Sequence, residues 1–182
     1  MSRVGIYGGT FDPIHNGHLQ VIRQLIEKKI IDRLILVPAG QPLLRENSPV
    51  ASGAQRRAMC QLALTTLPES ISTHVQVNPI EILRAGPSYA IDTVEAVRAS
   101  YPNDEIFLIM GADAYSKIDQ WHRAAELHAL VSIICINRPG FAPHGIDIAA
   151  LDVSATAVRA GLSADVPEIV GAFIRENNLY DN

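Results

Sequence analysis

The chain has 182 residues, with 15 Lys+Arg against 19 Asp+Glu and a net charge of −4. That length suits one domain, residues 1–182, whose core needs no disulfide or metal staple. A hydrophobic content of 48% excludes a wholly disordered or collagen-like chain. The isoelectric point near 5.8 argues against a broad basic face for nucleic acid, while leaving room for a local basic pocket for phosphates. Cys60 and Cys135 are the two cysteines, far apart and without a C-x-x-C pairing, which fits a reducing compartment. The first residues lack the apolar run of a signal peptide. No uncharged apolar segment approaches the roughly 20 residues that span a bilayer. The expectation is a cytoplasmic protein without membrane contact.

Short apolar runs alternate with amphipathic stretches. Val4 to Tyr7 reads as a first strand. Leu19, Ile22, Leu25, Ile26 and Ile30 then recur at helical spacing, which predicts a helix from Asn16 to Ile30. Leu34 to Val37 is a β-rich run closed by Pro38. Ser52 and Gln55 have the form of a capping box and predict a helix running to about Thr66. Ile71 to Val77 alternates as a strand does, and Ser88 is placed to cap a helix ending near Ser100. Ile106 to Met110 and Val131 to Ile136 are apolar at almost every position, as strands covered on both faces are. Ala124 to Leu130 is helical between them. Gly140 to Ala150 reads as a loop. Two helices follow, near Ala155–Leu162 and Pro167–Asn177, with Pro167 suited to a helix start.

This strand–helix alternation predicts an α/β fold: a Rossmann-like, doubly wound parallel sheet with helices on both faces and helices at the C-terminal end. Ligands of such sheets sit beyond the carboxyl ends of the strands, near the switch in strand order. The loops after the first, second, fourth and fifth strands are therefore where chemistry is expected.

The loop after the first strand, Gly8-Gly9-Thr10-Phe11-Asp12-Pro13-Ile14-His15-Asn16-Gly17-His18, is the most informative segment. It opens a helix, whose N-terminal N–H groups and partial positive charge suit an anion. Gly8 and Gly9 let a ligand approach the backbone. Neither the dinucleotide fingerprint nor the Gly-Lys-Ser/Thr of a P-loop is present. Instead His15 and His18 bracket Gly17, so that both imidazoles can face one bound anion; a glycine-rich turn with two solvated histidines is the simpler alternative. A metal reading lacks a third ligand at a recognisable spacing, since His122, His128 and His144 are scattered. A serine hydrolase would lack its G-x-S-x-G elbow, although a triad assembled from distant residues stays open.

The same loop resembles the signature of the H-x-G-H nucleotidylyltransferases, and more narrowly that of bacterial nicotinate-nucleotide adenylyltransferases. Three further blocks agree in order. Pro87-Ser88-Tyr89-Ala90-Ile91-Asp92-Thr93-Val94 resembles P-S-Y-T-I-D-T-L, and Gly111-Ala112-Asp113-Ala114 with Trp121-His122-Arg123 resembles G-A-D-A and W-H-R. Val153-Ser154-Ala155-Thr156-Ala157-Val158-Arg159 resembles I-S-S-T-x-I-R. The second and third blocks favour this family over pantetheine-phosphate adenylyltransferase, whose first motif typically carries Thr where His15 stands.

The resemblance implies adenylyl transfer from ATP to nicotinate mononucleotide, releasing pyrophosphate, with Mg²⁺ carried by the phosphates. It places His15, His18 and Arg159 in catalysis, with His18 the principal donor to the transition state. Gly8, Gly9, Thr10, Phe11, Arg45, Gly111, Asp113, Ser154 and Thr156 would bind ATP. Tyr89, Asp92, Thr93 and Trp121 would bind the mononucleotide, Trp121 stacking on the pyridine. In isolation Ser154 reads equally as a helix cap, Trp121 as core, and Asp92 as a residue complementing a helix dipole. Arg56 falls on the family's R-x-x-M with Met59, as a structural or a phosphate contact. No protein-held metal and no nucleic-acid partner is expected, and a homo-oligomer stays open.

The match departs from the family at three places. Leu44 and Arg45 stand where His-Lys is usual, which keeps one charge but changes its geometry. Ala90 replaces a usual Thr, and the connection after Arg159 is short. These departures motivate two alternatives: an adenylyltransferase for another phosphorylated acceptor, such as the amide mononucleotide or 4′-phosphopantetheine, and a non-catalytic nucleotide-binding relative.

Overall fold

The computed structural model describes residues 1–41, 48–137 and 154–180. Its sheet contains β1 (Arg3–Gly9), β2 (Arg33–Pro38), β3 (Val75–Val77), β4 (Glu105–Gly111) and β5 (Ser132–Ile136) in the order β3-β2-β1-β4-β5. Every pairing is parallel. The order reverses between β1 and β4, so the loops leaving those two strands flank one crevice.

Alternation along each strand feeds two apolar layers. Leu34 and Leu36 of β2, with Tyr7, Ile109 and Ile134, pack against α1 (Asn16–Glu27), α2 (Gly53–Leu64) and α9 (Glu168–Glu176). Val4, Ile6, Ile35, Val37, Ile106 and Leu108 face the other way, onto α5 (Ala90–Ser100) and α7 (Ala124–Leu130). This is the expected doubly wound arrangement. Gly5 is needed where the two central strands are crossed by large side chains: a Cβ there would lie 2.6 Å from Ile109 Cδ1.

The helix bounds mostly follow the sequence pattern, and the differences have local causes. Helix α1 stops at Glu27 rather than running to Ile30, because Lys29 turns left-handed at φ 52°. Ile30 N–H then bonds to Leu25 O and Lys29 N–H to Ile26 O, the two bonds of a Schellman cap. No glycine announces that cap. The Ser52–Gln55 capping box forms as expected, with Ser52 N–H on Gln55 Oε1 at 2.9 Å and Gln55 N–H on Ser52 Oγ at 3.2 Å. The strand expected from Ile71 to Val77 is only Val75–Val77. Ile71 instead lies in a single turn, α3 (Glu69–Ser72), where it and Ser72 donate to Pro68 O. One buried residue of a helical turn followed by a short strand imitates strand alternation. Two more short helices, α4 (Ile80–Leu83) and α6 (Ala112–Tyr115), and a 3₁₀ turn at Ile118–Gln120 carry too few residues to show a period. Helix α8 (Ala155–Arg159) is shorter than its apolar pattern suggested. The loop expected at Gly140–Ala150 lies outside the described residues. Among the described residues no helix is long and apolar enough to cross a membrane.

Candidate active site

The first loop is shaped by close packing behind it. Gly9 leaves β1 with its α-carbon over the Phe11 ring, and a Cβ would sit 2.8 Å from Phe11 Cζ. Phe11 takes φ 50°, which turns its side chain inward to 3% exposure. Its ring meets His18 edge to face, with centroids 5.0 Å apart. Gly8, by contrast, is exposed, and a Cβ there would meet nothing within 4 Å. Backbone at Gly8 is thus open to a ligand, while Thr10 and Phe11 are turned into the protein.

His15 sits at the N-cap of α1 and His18 one turn on. Their rings stack with centroids 3.7 Å apart and planes 26° apart. They are not equivalent. His15 is 2% exposed, whereas His18 is half-buried. The His15 backbone N–H donates to His18 Nδ1 at 3.2 Å. A ring nitrogen that accepts cannot carry a proton, so the neutral His18 ring holds its proton on Nε2, on the edge away from the backbone. The fold therefore makes His18 an oriented N–H donor at a helix N-terminus, with His15 packed behind it.

Asp12 ties this loop to three distant segments. Its carboxylate, 2% exposed, accepts from Val50 N–H at 2.9 Å, Ala51 N–H at 3.1 Å and Tyr180 O–H at 2.8 Å. Arg159 Nη1 donates to the Asp12 carbonyl oxygen at 2.6 Å and stands 4.0 Å from Asp12 Oδ2. Arg159 Nη2 also donates to Thr156 Oγ1 at 3.2 Å. Ser154 caps α8, its Oγ accepting from Ala157 N–H at 3.1 Å. So α8 is brought to the loop after β1, as the catalytic expectation for Arg159 requires, and Ser154 also fills its simpler role.

Arg56 is structural. Its guanidinium is 2% exposed and donates to Thr10 O at 2.7 Å, Ala51 O at 3.2 Å and Gly40 O at 3.4 Å. One buried cation thus joins the loops after β1 and β2 to the start of α2.

On the other side, β4 leads into α6 through Gly111, half-buried at its N-cap, and Asp113 is exposed. Ser88 does not cap α5. Tyr89 is at the N-cap, with no side-chain bond to the helix. The Ser88 hydroxyl instead accepts from Gly40 N–H and Gln41 N–H, each at 3.1 Å, because the loop after β2 passes that close. Thr93 is 2% exposed and donates to Glu81 Oε1 at 2.8 Å. Burial raises the Glu81 carboxyl above the usual carboxylate range, against the opposing bond from Thr93. Asp92 stands 3.9 Å from Arg84 Nη1. Tyr89 packs on the His122 ring with centroids 4.2 Å apart. Trp121 leans on the second apolar layer, and its Nε1 is buried with no hydrogen-bond partner among the described residues. Arg123 turns left-handed and forks onto Glu126 and Glu95 at 2.6 and 2.8 Å.

The structure therefore gathers Gly8, Gly9, Thr10, Phe11, His15, His18, Thr156 and Arg159 around one loop. Arg45 and Leu44 lie outside the described residues. Sequence reasoning passed over Glu81 and Tyr180, and gave Asp12 no role of its own. Nothing local marks Glu81 or Tyr180, since their partners are 12 and 168 positions away. Among the described residues no three His, Cys, Asp or Glu side chains come together as a metal site.

An oriented imidazole donor and exposed glycine backbone thus stand at the switch point of a parallel sheet, and residues 6–161 match the sequence model of the cytidylyltransferase-like family. The chain is 32% identical over 194 residues to the nicotinate-nucleotide adenylyltransferase of Bacillus subtilis, covering 100% of both chains. It is 37% identical to the "Probable nicotinate-nucleotide adenylyltransferase" of Saccharopolyspora erythraea, covering 98% of this chain and 89% of that one. The Plasmodium falciparum nicotinic acid mononucleotide adenylyltransferase complexed with NaAD superposes with a TM-score of 0.83 at 20% identity, over 100% of this chain and 98% of that one. That last likeness shows a shared fold. The chain belongs, within the cytidylyltransferase-like proteins, to the nicotinate-nucleotide adenylyltransferase family.

Proposed function

We propose that this protein transfers the adenylyl group of ATP to nicotinate mononucleotide, giving the deamido form of NAD and pyrophosphate, and that residues 1–182 act as one catalytic unit. The observation that carries the reading is the full-length relationship to enzymes named for this reaction. The site geometry supplies its chemistry.

The attacking group is a phosphate oxygen of the mononucleotide, already anionic at neutral pH. It forms a bond to the α-phosphorus as the bond from that phosphorus to the bridging oxygen of pyrophosphate breaks, and pyrophosphate leaves with the electron pair. No proton has to move, so no general base is required. What the protein must do is hold two polyanions together and stabilise charge growing on the transferred and leaving phosphates. His18 Nε2–H is the donor we assign to that charge, since its other nitrogen is engaged by backbone. Arg159 and Thr156 approach from α8, and Arg159 adds a positive charge beside the loop. His15 backs His18 through the ring stack. Gly8 presents exposed backbone to the ligand, whereas in the first turn of α1 Asn16 N–H is taken by Asp165 O and His18 N–H by His15 O.

We assign the adenosine to the crevice by Gly111 and Asp113, and the pyridine to the surface of Tyr89 and Trp121, whose buried indole N–H has no acceptor among the described residues. Arg45 extends the reading to the loop after β2. Mg²⁺ would arrive on the phosphates, where it would neutralise part of their charge. Buried free cysteines at 60 and 135 support a cytoplasmic setting.

The test is release of pyrophosphate by the purified protein with ATP, Mg²⁺ and nicotinate mononucleotide. Folded protein without turnover overturns the reading. Faster turnover of the amide mononucleotide or of 4′-phosphopantetheine moves it to the alternative acceptor that Ala90 and Leu44 suggested.

A further inference from the structure

The end of the described chain reaches back to its beginning. Helix α9 closes with a Schellman cap: Asn178 is left-handed at φ 48°, Asn178 N–H bonds to Arg175 O, and Leu179 N–H bonds to Ile174 O at 3.0 Å. Leu179 is buried at 9% exposure in the first apolar layer. Tyr180 then turns left-handed as well, at φ 65°. A bulky side chain rarely takes that conformation, and such strain persists only where surrounding contacts enforce it. Here the turn delivers the phenol O–H to Asp12 Oδ1 at 2.8 Å. Burial first, then the bond to Asp12, pushes the phenol well above its usual range, so it remains a donor.

Asp12 is the residue on which the first loop hangs. Tyr180 shares Oδ1 with Ala51 N–H, while Val50 N–H takes Oδ2. Arg159 closes the set on the carbonyl oxygen of the same residue. Without the Tyr180 hydroxyl, Oδ1 of this 2% exposed carboxylate keeps Ala51 N–H as its one donor among the described contacts, a weaker hold than two donors give. The other oxygen, Oδ2, stands 4.0 Å from Arg159 Nη1, which also holds the carbonyl oxygen of Asp12 itself.

We propose that Tyr180 is a positioning residue for adenylyl transfer: its hydroxyl fixes the Asp12 carboxylate, and through Asp12 it sets where Arg159 stands beside the first loop. The inference rests on the adenylyl-transfer reading above.

The experiment compares wild type, Tyr180→Phe, Arg159→Ala, the double variant, and Leu179→Ala as a packing control. Each is assayed at least 10 °C below its melting midpoint, with kcat and both KM values measured separately. Tyr180→Phe is expected to lower kcat about five- to tenfold with both KM values changed less than about twofold. In the Arg159→Ala background the same change is expected to cost less than about twofold, since the residue it positions is gone. Leu179→Ala is expected to melt lower than Tyr180→Phe yet keep its kcat. Three results would overturn the inference alone: an unchanged kcat in Tyr180→Phe, a Tyr180→Phe loss that multiplies in full onto that of Arg159→Ala, or an equal kcat loss in Leu179→Ala. A wild-type protein that folds but releases no pyrophosphate overturns the adenylyl-transfer reading and this inference with it.

Discussion

Replacing Arg56 by Met keeps the length of the side chain and deletes its guanidinium. Three carbonyl oxygens lose a charged donor: Thr10 at 2.7 Å, Ala51 at 3.2 Å and Gly40 at 3.4 Å. A hydrogen bond to a charged group contributes about 1.5–3 kcal/mol, and an unpartnered buried acceptor costs a similar amount. The bond to Thr10 counts in full, that to Ala51 in part, and that to Gly40, at the edge of bonding distance, adds little. Against this, removing a fully buried cation also removes its desolvation cost. The expected net loss is about 2–4 kcal/mol, which for a chain of this length lowers the melting midpoint by about 4–16 °C. Urea unfolding followed by circular dichroism, with a thermal melt beside it, measures both. Arg56→Lys should recover less than half, since an ammonium cannot fork across three acceptors. In protein still folded at the assay temperature, KM for ATP should change less than about threefold. A stability loss below about 1 kcal/mol, joined to a tenfold rise in KM for ATP, would show that Arg56 is a phosphate ligand and that its carbonyl contacts do not hold the loops.

His18→Ala should lower kcat at least tenfold, and by about 10²–10³-fold where the ring supplies the full contribution of about 2.7–4 kcal/mol known for single preorganised donors, while the melting midpoint moves by less than about 3 °C; normal turnover with lost stability would mark a structural histidine. Glu81→Gln tests the buried carboxylate. Its raised pKa means that the folded state binds the proton more tightly than the unfolded chain, so wild-type stability should fall as pH rises from the ordinary value near 4.5 through the raised one. The Gln variant, which keeps an acceptor for Thr93, should lack that slope and melt above wild type at pH 8; parallel melting curves from pH 4 to 8 would refute it. Gly40→Ala drives a Cβ into Glu81 O and to 2.8 Å from Ser88 Oγ, so the β2 loop must shift. A loss of about 1–3 kcal/mol in urea unfolding is expected, and a neutral result would mean that the loop and α4 are not in contact.

The chain's own text went far toward the fold, because that fold rests on local signals. Apolar runs at β1, β2, β4 and β5, helical spacing in α1, and the Ser52–Gln55 box each express a preference that tertiary packing reinforces. Where a signal was short or long-range, reading failed for physical reasons. Ile71 lies in a single helical turn that fits a period of two as well as one of 3.6. Ser88 has the chemistry of a cap, yet the loop after β2 comes within 3.1 Å and takes its oxygen as acceptor instead. Arg56 could not be assigned between phosphate and protein until its burial among three carbonyls was visible.

The residue types and order of the first loop by themselves marked a candidate anion site at a strand–helix junction, since glycines, a helix start and paired imidazoles can supply donors there. Only the tertiary structure separated the two histidines, because burial and the tautomer fixed by the His15 N–H depend on how Phe11 and α1 pack. Only it joined Asp12 to Tyr180 and Arg159, residues 168 and 147 positions away. Contacts at such separations follow from the winding of the sheet, and no local preference encodes them.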